Sequence, residues 1–281
     1  MANEFIKTEN QDGVLVLTMH DPPTRNALGL EMAKEIVDTL DEFENDPSQR
    51  VLLLTGTDPS FCSGANVRGF SQRIQEREQQ VDPVESLPWG KMESRFSKRE
   101  QISRYQAPQV VLRIHELQKP SIAAVNGHAM GVGCGLALAC DIRFAGEKAQ
   151  FSEAFVQRGL IPGDGSCWQL PRLIGYSNAL MLQYTGDRIN GEEAYRLGLA
   201  SKVYPDSELM DGAMELATRF ASGPTQSYSL IKYLVHQSMD LSLSESIGLA
   251  HVAQEHARTT EDHKEAVQAF LDKRRPNFKG R

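Results

Sequence analysis

The run from Lys119 to Asp141, Lys-Pro-Ser-Ile-Ala-Ala-Val-Asn-Gly-His-Ala-Met-Gly-Val-Gly-Cys-Gly-Leu-Ala-Leu-Ala-Cys-Asp, constrains the fold more than any other stretch of this chain. Ser121 to Val125 is short, apolar and partly β-branched, which suits a buried strand, and Asn126-Gly127 then supplies turn chemistry. Behind the turn come Gly131, Gly133 and Gly135 and a run of small apolar residues that predicts a buried helix. Glycine lets backbone come close to another group, and the first turn of a helix leaves N–H groups without partners. A bend of this kind can hold an oxyanion or a phosphate. The same glycines would also serve tight helix packing alone, and the residues by themselves leave both roles open. A dinucleotide fingerprint fits less well, because Leu136 occupies the place of its third glycine and the run lies mid-chain.

A chain of 281 residues can bury a full core as one or two domains, and its hydrophobic (40%) and charged (24%) fractions are those of a soluble globular protein. A net charge of -7 gives no reason to expect nucleic acid or an anionic membrane surface as a partner. Asn126, His128 and repeated glycine interrupt the most apolar run before it reaches membrane-spanning length. The opening Met1-Ala2-Asn3-Glu4-Phe5 lacks the basic and apolar character of a secretory leader, so a cytoplasmic location is expected. Cys62, Cys134, Cys140 and Cys167 show no CxxC spacing; neither a metal site nor a disulfide framework is expected, and the thiols are read as free and buried.

Two apolar runs, Phe5 to Glu9 and Val14 to His20, flank Gln11-Asp12-Gly13 and predict a β-hairpin. Pro22 and Pro23 predict extended chain through Asn26. Met32, Ile36, Val37, Leu40 and Phe43 recur at helical intervals. Val51 to Thr57 is expected as a buried strand that ends in a loop of small residues, Gly56 to Asn66. Between about Phe70 and Gln106 the composition turns to Gln, Arg and Glu, as in an inserted flap. Val110 to Leu117 predicts a short helix, and strands are expected at Ile142 to Ala145, Gln150 to Ser152 and Val203. Helices are expected at Cys167 to Leu173, Ser177 to Thr185, and Gly191 to Leu197 with Asn190 as its cap. From Ser207 onward only helices follow. That change places a boundary between an α/β core, residues 1–205 with the 70–106 insert, and a helical region, residues 206–281.

Several of these segments together resemble the crotonase family, also called the enoyl-CoA hydratase/isomerase superfamily. The matching residues are Asn26-Ala27-Leu28, Phe61 to Val67, Lys119 to Gly127 with the bend behind it, Cys140-Asp141-Ile142-Arg143, Gly159-Leu160-Ile161-Pro162-Gly163, Leu170 to Gly175, and Thr185-Gly186 followed by Ala194 and Gly198-Leu199. They occur in order through almost the whole chain, the 70–106 insert excepted. The resemblance implies an α/β fold with a ββα-superhelix core and a C-terminal helical region that builds trimers or dimers of trimers. It implies an acyl-CoA thioester as substrate and no permanently bound cofactor. It further implies that two backbone N–H groups hold the thioester oxygen and stabilise an enolate-like anion. Matched residue by residue, these donors fall on Ala65 and Val132, both on glycine-rich bends. Arg25 and Ala27, with Cys62, Ser63 and Val67, fall on the loops that bind CoA in the family, and Arg25 is placed either for a phosphate or for solvent. The tail from Phe270 to Pro276 resembles the family's terminal segment, where Phe270 and Lys273 would face a neighbour's CoA.

Hydratases of the family hold water between two glutamates, and the corresponding positions here are Gly135 and Phe155, which can neither take nor give a proton. One replacement is Asp164, in Pro162-Gly163-Asp164-Gly165, whose other reading is a cap on the next helix. Glu153 is the second, with a surface or salt-bridging carboxylate as its other reading. His128 is read as structural, and Glu85, Glu93, Arg95 and Tyr105 of the insert are candidates to fold over the acyl group. The expected function is acyl-CoA processing in an oxyanion hole with non-standard acid–base residues, as hydratase, isomerase or hydrolase. The alternative is a catalytically silent acyl-CoA-binding paralogue.

Overall fold

The computed structural model describes residues 3–66 and 103–281. Ile6–Gln11 (β1) and Val14–Met19 (β2) pair antiparallel across the Asp12-Gly13 turn. The amphipathic helix Leu30–Asn45 (α1) leads to Val51–Gly56 (β3), which lies parallel to β2. Ala107–His115 (α2) delivers the chain to Ser121–Val125 (β4), and a short strand, His128–Met130 (β5), precedes the helix Val132–Ala139 (α3). Ile142–Gly146 (β6), Gln150–Ser152 (β7), Ser166–Ile174 (α4), Tyr176–Thr185 (α5), Ile189–Asn190 (β8), Gly191–Leu197 (α6) and Lys202–Tyr204 (β9) complete the alternation. Leu209–Ala221 (α7), Thr225–Ser238 (α8), Leu243–Thr259 (α9) and Glu261–Leu271 (α10) follow as helices alone. Among the described residues no helix is long and apolar enough to cross a membrane.

The larger sheet runs β1-β2-β3-β4-β6-β9, and every pair from β2 onward is parallel. Parallel strands covered on both faces must be apolar on both, and alternation sorts their side chains into two cores. Leu15, Leu17, Leu52, Leu54, Ala123 and Val125 pack with α1, α2 and α3, while Val14, Val16, Val51, Leu53, Ile122 and Ala124 pack with α7. From α7 come Leu209, Ala213, Ala217 and Ala221, small residues at helical spacing that let its backbone lie close to the sheet. A smaller sheet, β5-β7-β8, stands beside it and carries the bend before α3.

Three stretches depart from the sequence expectation. Pro22–Thr24 forms a 3-10 turn instead of extended chain, because prolines at its first positions bring the right φ and give up N–H groups that the turn leaves unpaired. Arg25 and Asn26 then turn left-handed, at φ 58 and 60. The buried Asn26 side chain holds this conformation, accepting from Asp21 N (2.9 Å) and donating to Thr57 O and Ser60 O (2.7 Å each). Strand β5 carries no local signal, since its partners are the distant Gln150–Ser152 and a single bridge to Cys62. Tyr105 packs against the core with its hydroxyl on Asp38 Oδ1 (3.2 Å), so it belongs to the contact with α1 and not to a flap. Val67, Glu85, Glu93 and Arg95 lie outside the described residues. Of the thiols, Cys62, Cys134 and Cys140 are buried, whereas Cys167 is exposed.

At the far end of α3 the guanidinium of Arg143, 5% exposed, donates to Leu199 O (2.8 Å), Leu138 O (3.3 Å) and Cys140 O (2.6 Å). Carbonyls at a helix C-terminus lack partners and carry the negative end of the dipole, so a cation there serves both needs. Arg143→Met is expected to lower stability by about 3 kcal/mol in urea unfolding, because it strands acceptors of charge-assisted bonds. A loss below about 1 kcal/mol would mean that the carbonyls find other donors.

Candidate active site

Backbone hydrogen bonds bring two glycine bends together. Cys62 N donates to His128 O (2.8 Å) and Met130 N to Cys62 O (3.0 Å), which lays residue 62 along β5. On the other side, Leu28 N donates to Gly64 O (2.8 Å) and Asn66 N to Leu28 O (3.1 Å). Gly64 and Gly131 hold φ of 112 and 51, conformations that side chains resist. A Cβ on Gly133 would overlap the Cys62 carbonyl oxygen, so only glycine lets the first turn of α3 lie against this loop. Ala65 and Val132 therefore line one cleft of about 520 Å³. Among the described residues neither of their N–H groups donates a hydrogen bond, and that of Val132 opens a helix, where the dipole is positive.

Arg25, Ala27 and Ser63 line the same cleft, and Ser63 Oγ donates to Thr24 O (2.7 Å), tying the two loops to each other. Cys62 contributes only its backbone; its side chain does not line the cleft, and burial pushes the thiol up to about 11. Phe270, 83% exposed, and Lys273 stand at the end of α10, and neither lines the cleft of its own chain. His128, expected as structural, does line it, and burial, followed by the charges of Arg188 and Arg25, lowers its pKa. Arg158 and Arg188 complete a cationic rim that the sequence reading did not single out. Their signal was available but weak: each lies within two residues of a left-handed glycine that ends a helical turn, Gly159 or Gly186.

The ring of Phe155 sits 3.5 Å from where a Cβ on Gly131 would be, an apolar wall beside the donors. One turn further along α3, a Cβ on Gly135 would overlap Asp164 Oδ2. The carboxylate of Asp164 thus fills the space that a side chain at 135 would take. Asp164 stands just before α4, whose N-cap is Gly165: Oδ1 accepts from Ser166 N (3.1 Å), while the group is 4% exposed and Oδ2 has no partner among the described residues. Glu153 is no surface carboxylate; it is 1% exposed, and neither of its oxygens has a hydrogen-bond partner among the described residues. Burial, then the charge of Asp164, pushes Glu153 up to about 8, and burial likewise raises Asp164. The result is a pair of buried acids behind the first turn of α3, of which Glu153 keeps its proton at pH 7.

The family model for enoyl-CoA hydratase/isomerase matches residues 9–88 and 88–281 of this chain. A 1,2-epoxyphenylacetyl-CoA isomerase of Escherichia coli (strain K12) is 35% identical over 278 residues, covering 99% of each chain. A crotonyl-CoA hydratase of Syntrophomonas wolfei is 34% identical over 279 residues, again covering 99% of each. The crystal structure of an enoyl-CoA hydratase from Bacillus anthracis superposes with a TM-score of 0.83 at 30% identity, covering 99% of this chain and 100% of that one.

Gly135→Ala is expected to lose about 2 kcal/mol in urea unfolding through overpacking, and adding Asp164→Ala should restore most of it. Simply additive losses would mean that the two groups do not compete for space. For Glu153, the folded chain holds a proton that the unfolded chain, at 4.5, releases before the folded value of about 8 is reached. Its contribution to stability therefore falls as pH rises through that window, by about 1.4 kcal/mol per unit at most. Glu153→Gln should melt increasingly above the parent chain between pH 5 and pH 8, and a difference that stays constant across that range would mean a carboxyl ionised throughout.

Proposed function

Since this chain belongs to the enoyl-CoA hydratase/isomerase family, we propose that it processes acyl-CoA thioesters, with the thioester oxygen held between the N–H groups of Ala65 and Val132. Asp164 moves the proton, and Glu153 sets the charge around it. The observation that carries this reading is the carboxylate of Asp164 in the side-chain space of Gly135. Three residues of helix place that space roughly 4.5 Å along the axis from Val132, which is the reach of an acyl chain whose carbonyl is bound at the helix start.

The chemistry follows from charge. Abstracting a proton from carbon next to the thioester pushes negative charge onto its oxygen, where donors fixed in advance are worth about 3 kcal/mol. The ionised carboxylate of Asp164 takes the proton and, once protonated, returns it elsewhere on the chain. Because Glu153 is neutral at pH 7, it adds no negative charge beside Asp164, and the two act as one titrating unit. Phe155 puts an aromatic ring beside the donors, at the place where a hydratase of the family keeps an acid for its water, and this favours double-bond isomerisation over hydration. Arg25, Arg158 and Arg188 suit the phosphates of CoA. A trimer or a dimer of trimers in the cytoplasm completes the reading, with Phe270 and Lys273 serving a neighbour's CoA and the exposed apolar Leu243, Val252 and Phe270 covered by contact. The near-complete burial of both acids supports a second reading, a silent acyl-CoA-binding paralogue.

The test is turnover of crotonyl-CoA and of 3-enoyl-, dienoyl- and 3-oxoacyl-CoAs, followed by thioester absorbance, free thiol and product mass. Asp164→Asn is expected to lose at least about 100-fold in kcat/KM on the class that turns over, while acyl-CoA still binds. Undiminished turnover in that variant would sink the role of Asp164. Binding without turnover anywhere in the panel would leave the paralogue as the function, and thiol release would name a hydrolase.

A further inference from the structure

The cleft carries more positive charge than its own wall balances. Arg25, Arg158 and Arg188 line it. Among the described residues no carboxylate lines it with them, and none of the three guanidiniums forms an ion pair. Elsewhere arginines are matched, as Arg113 is by Asp41 and Glu44, and Arg274 by Glu265. His128 stands half-buried in the same wall, at the start of β5. Its partner across the smaller sheet is Gln150 of β7, so the two side chains leave the same face. His128 Nδ1 and Gln150 Oε1 are both closed to solvent, and neither has a hydrogen-bond partner among the described residues. Gln150 favours the protonated ring, as an amide oxygen does by drawing a ring proton to Nδ1. The nitrogen left for a ligand is then Nε2, an acceptor in the neutral ring and a donor in the charged one.

We propose that His128 is a further ligand for a phosphate of the CoA moiety, neutral in the ligand-free protein and protonated in the complex, so that acyl-CoA binding takes up a proton. The inference rests on the acyl-CoA reading of the cleft. Burial, then the charges of Arg188 and Arg25, lowers the pKa of His128, so the ring is neutral at pH 7. A phosphate set among the same arginines cancels their field at the ring and offers Nε2 an anionic acceptor. Both effects favour the imidazolium. The groups around the ring leave that proton to it. Behind β5, Asp58 accepts from Asn126 Nδ2 (2.7 Å) and lies outside the cleft wall. The loop beside β5 brings the Cys62 thiol, which burial pushes up to about 11. From β7 comes the neutral Gln150, and the rest of the rim is the three arginines. A site that gains a proton on binding binds more tightly as pH falls, by up to about tenfold per pH unit for one proton.

S-butyl-CoA, a thioether that binds without reacting, serves as the probe, with S-butyl-dephospho-CoA and the phosphate-free S-butylpantetheine beside it. Protons taken up by the whole protein on binding are counted by calorimetry at pH 7 in buffers of different ionisation enthalpy. Parent and variant are compared for each probe, because the 3′-phosphate of CoA itself titrates near about pH 6. The parent is expected to take up as much as about one proton more than His128→Gln with a phosphate-bearing probe. The affinity gained between pH 8 and pH 6 should shrink in that variant too, and His128→Asn is the second variant should the first fail to fold. A difference seen with both phosphate-bearing probes assigns the diphosphate, and one seen with S-butyl-CoA alone assigns the 3′-phosphate; either upholds the inference. Equal proton counts in parent and variant, or a difference that S-butylpantetheine produces as well, overturn the inference while leaving the cleft intact. No binding of S-butyl-CoA overturns the reading of the cleft and this inference with it.

Discussion

The carbonyl of Cys62 lies where a side chain at position 133 would have to go, and the rest of the site depends on that contact. It holds the first turn of α3 against the loop that follows β3, two stretches that the sequence separates by the whole 67–102 segment. Once they touch, with Gly64 and Gly131 at positive φ, the residues that follow them, Ala65 and Val132, line a common cleft. The N–H groups of Ala65 and Val132 belong to the backbone. Neighbouring side chains can therefore vary without moving them, which is how a valine is tolerated at 132.

The charges around α3 are arranged along its length. Arg143 neutralises the carbonyl end, whose negative field would otherwise act on the same buried interior. The amide end stays open to the cleft, and the acids stand at the flank, with Glu153 protonated at pH 7. A second anion there would work against the enolate of the proposed reaction. Burial of Glu153 keeps that second charge away, at some cost in stability.

The sequence made legible whatever is set by neighbours along the chain: the hairpin around Gly13, the buried parallel strands, the cap at Asn190, whose side chain accepts from Glu193 N, and the two glycine bends. It misread features decided across the fold. Glu153 follows a three-residue strand, and nothing nearby in sequence tells a solvent-facing carboxylate from one closed off by α3. Asp164 has the residue type of a helix cap but stands one residue before it, holding the N–H of Ser166; its other face depends on what is missing at Gly135. The 3-10 turn at Pro22–Thr24 is held by Asn26 reaching Thr57 and Ser60, contacts that no local pattern encodes. Arg158 and Arg188 carry no mark in the sequence, because only the placing of β7, β8 and the turns beside them brings both to one rim.

The shared space of Gly135 and Asp164 has a historical side. Two positions that compete for one volume do not change independently: a larger residue at 135 presses on an acid at 164, and an acid at 164 is unstrained only while 135 stays bare. A lineage that moves its acid between these elements does so with least strain through a stage with small residues at both, when neither carboxylate is present. The present arrangement is therefore hard to reverse by single substitutions, whatever selection favours.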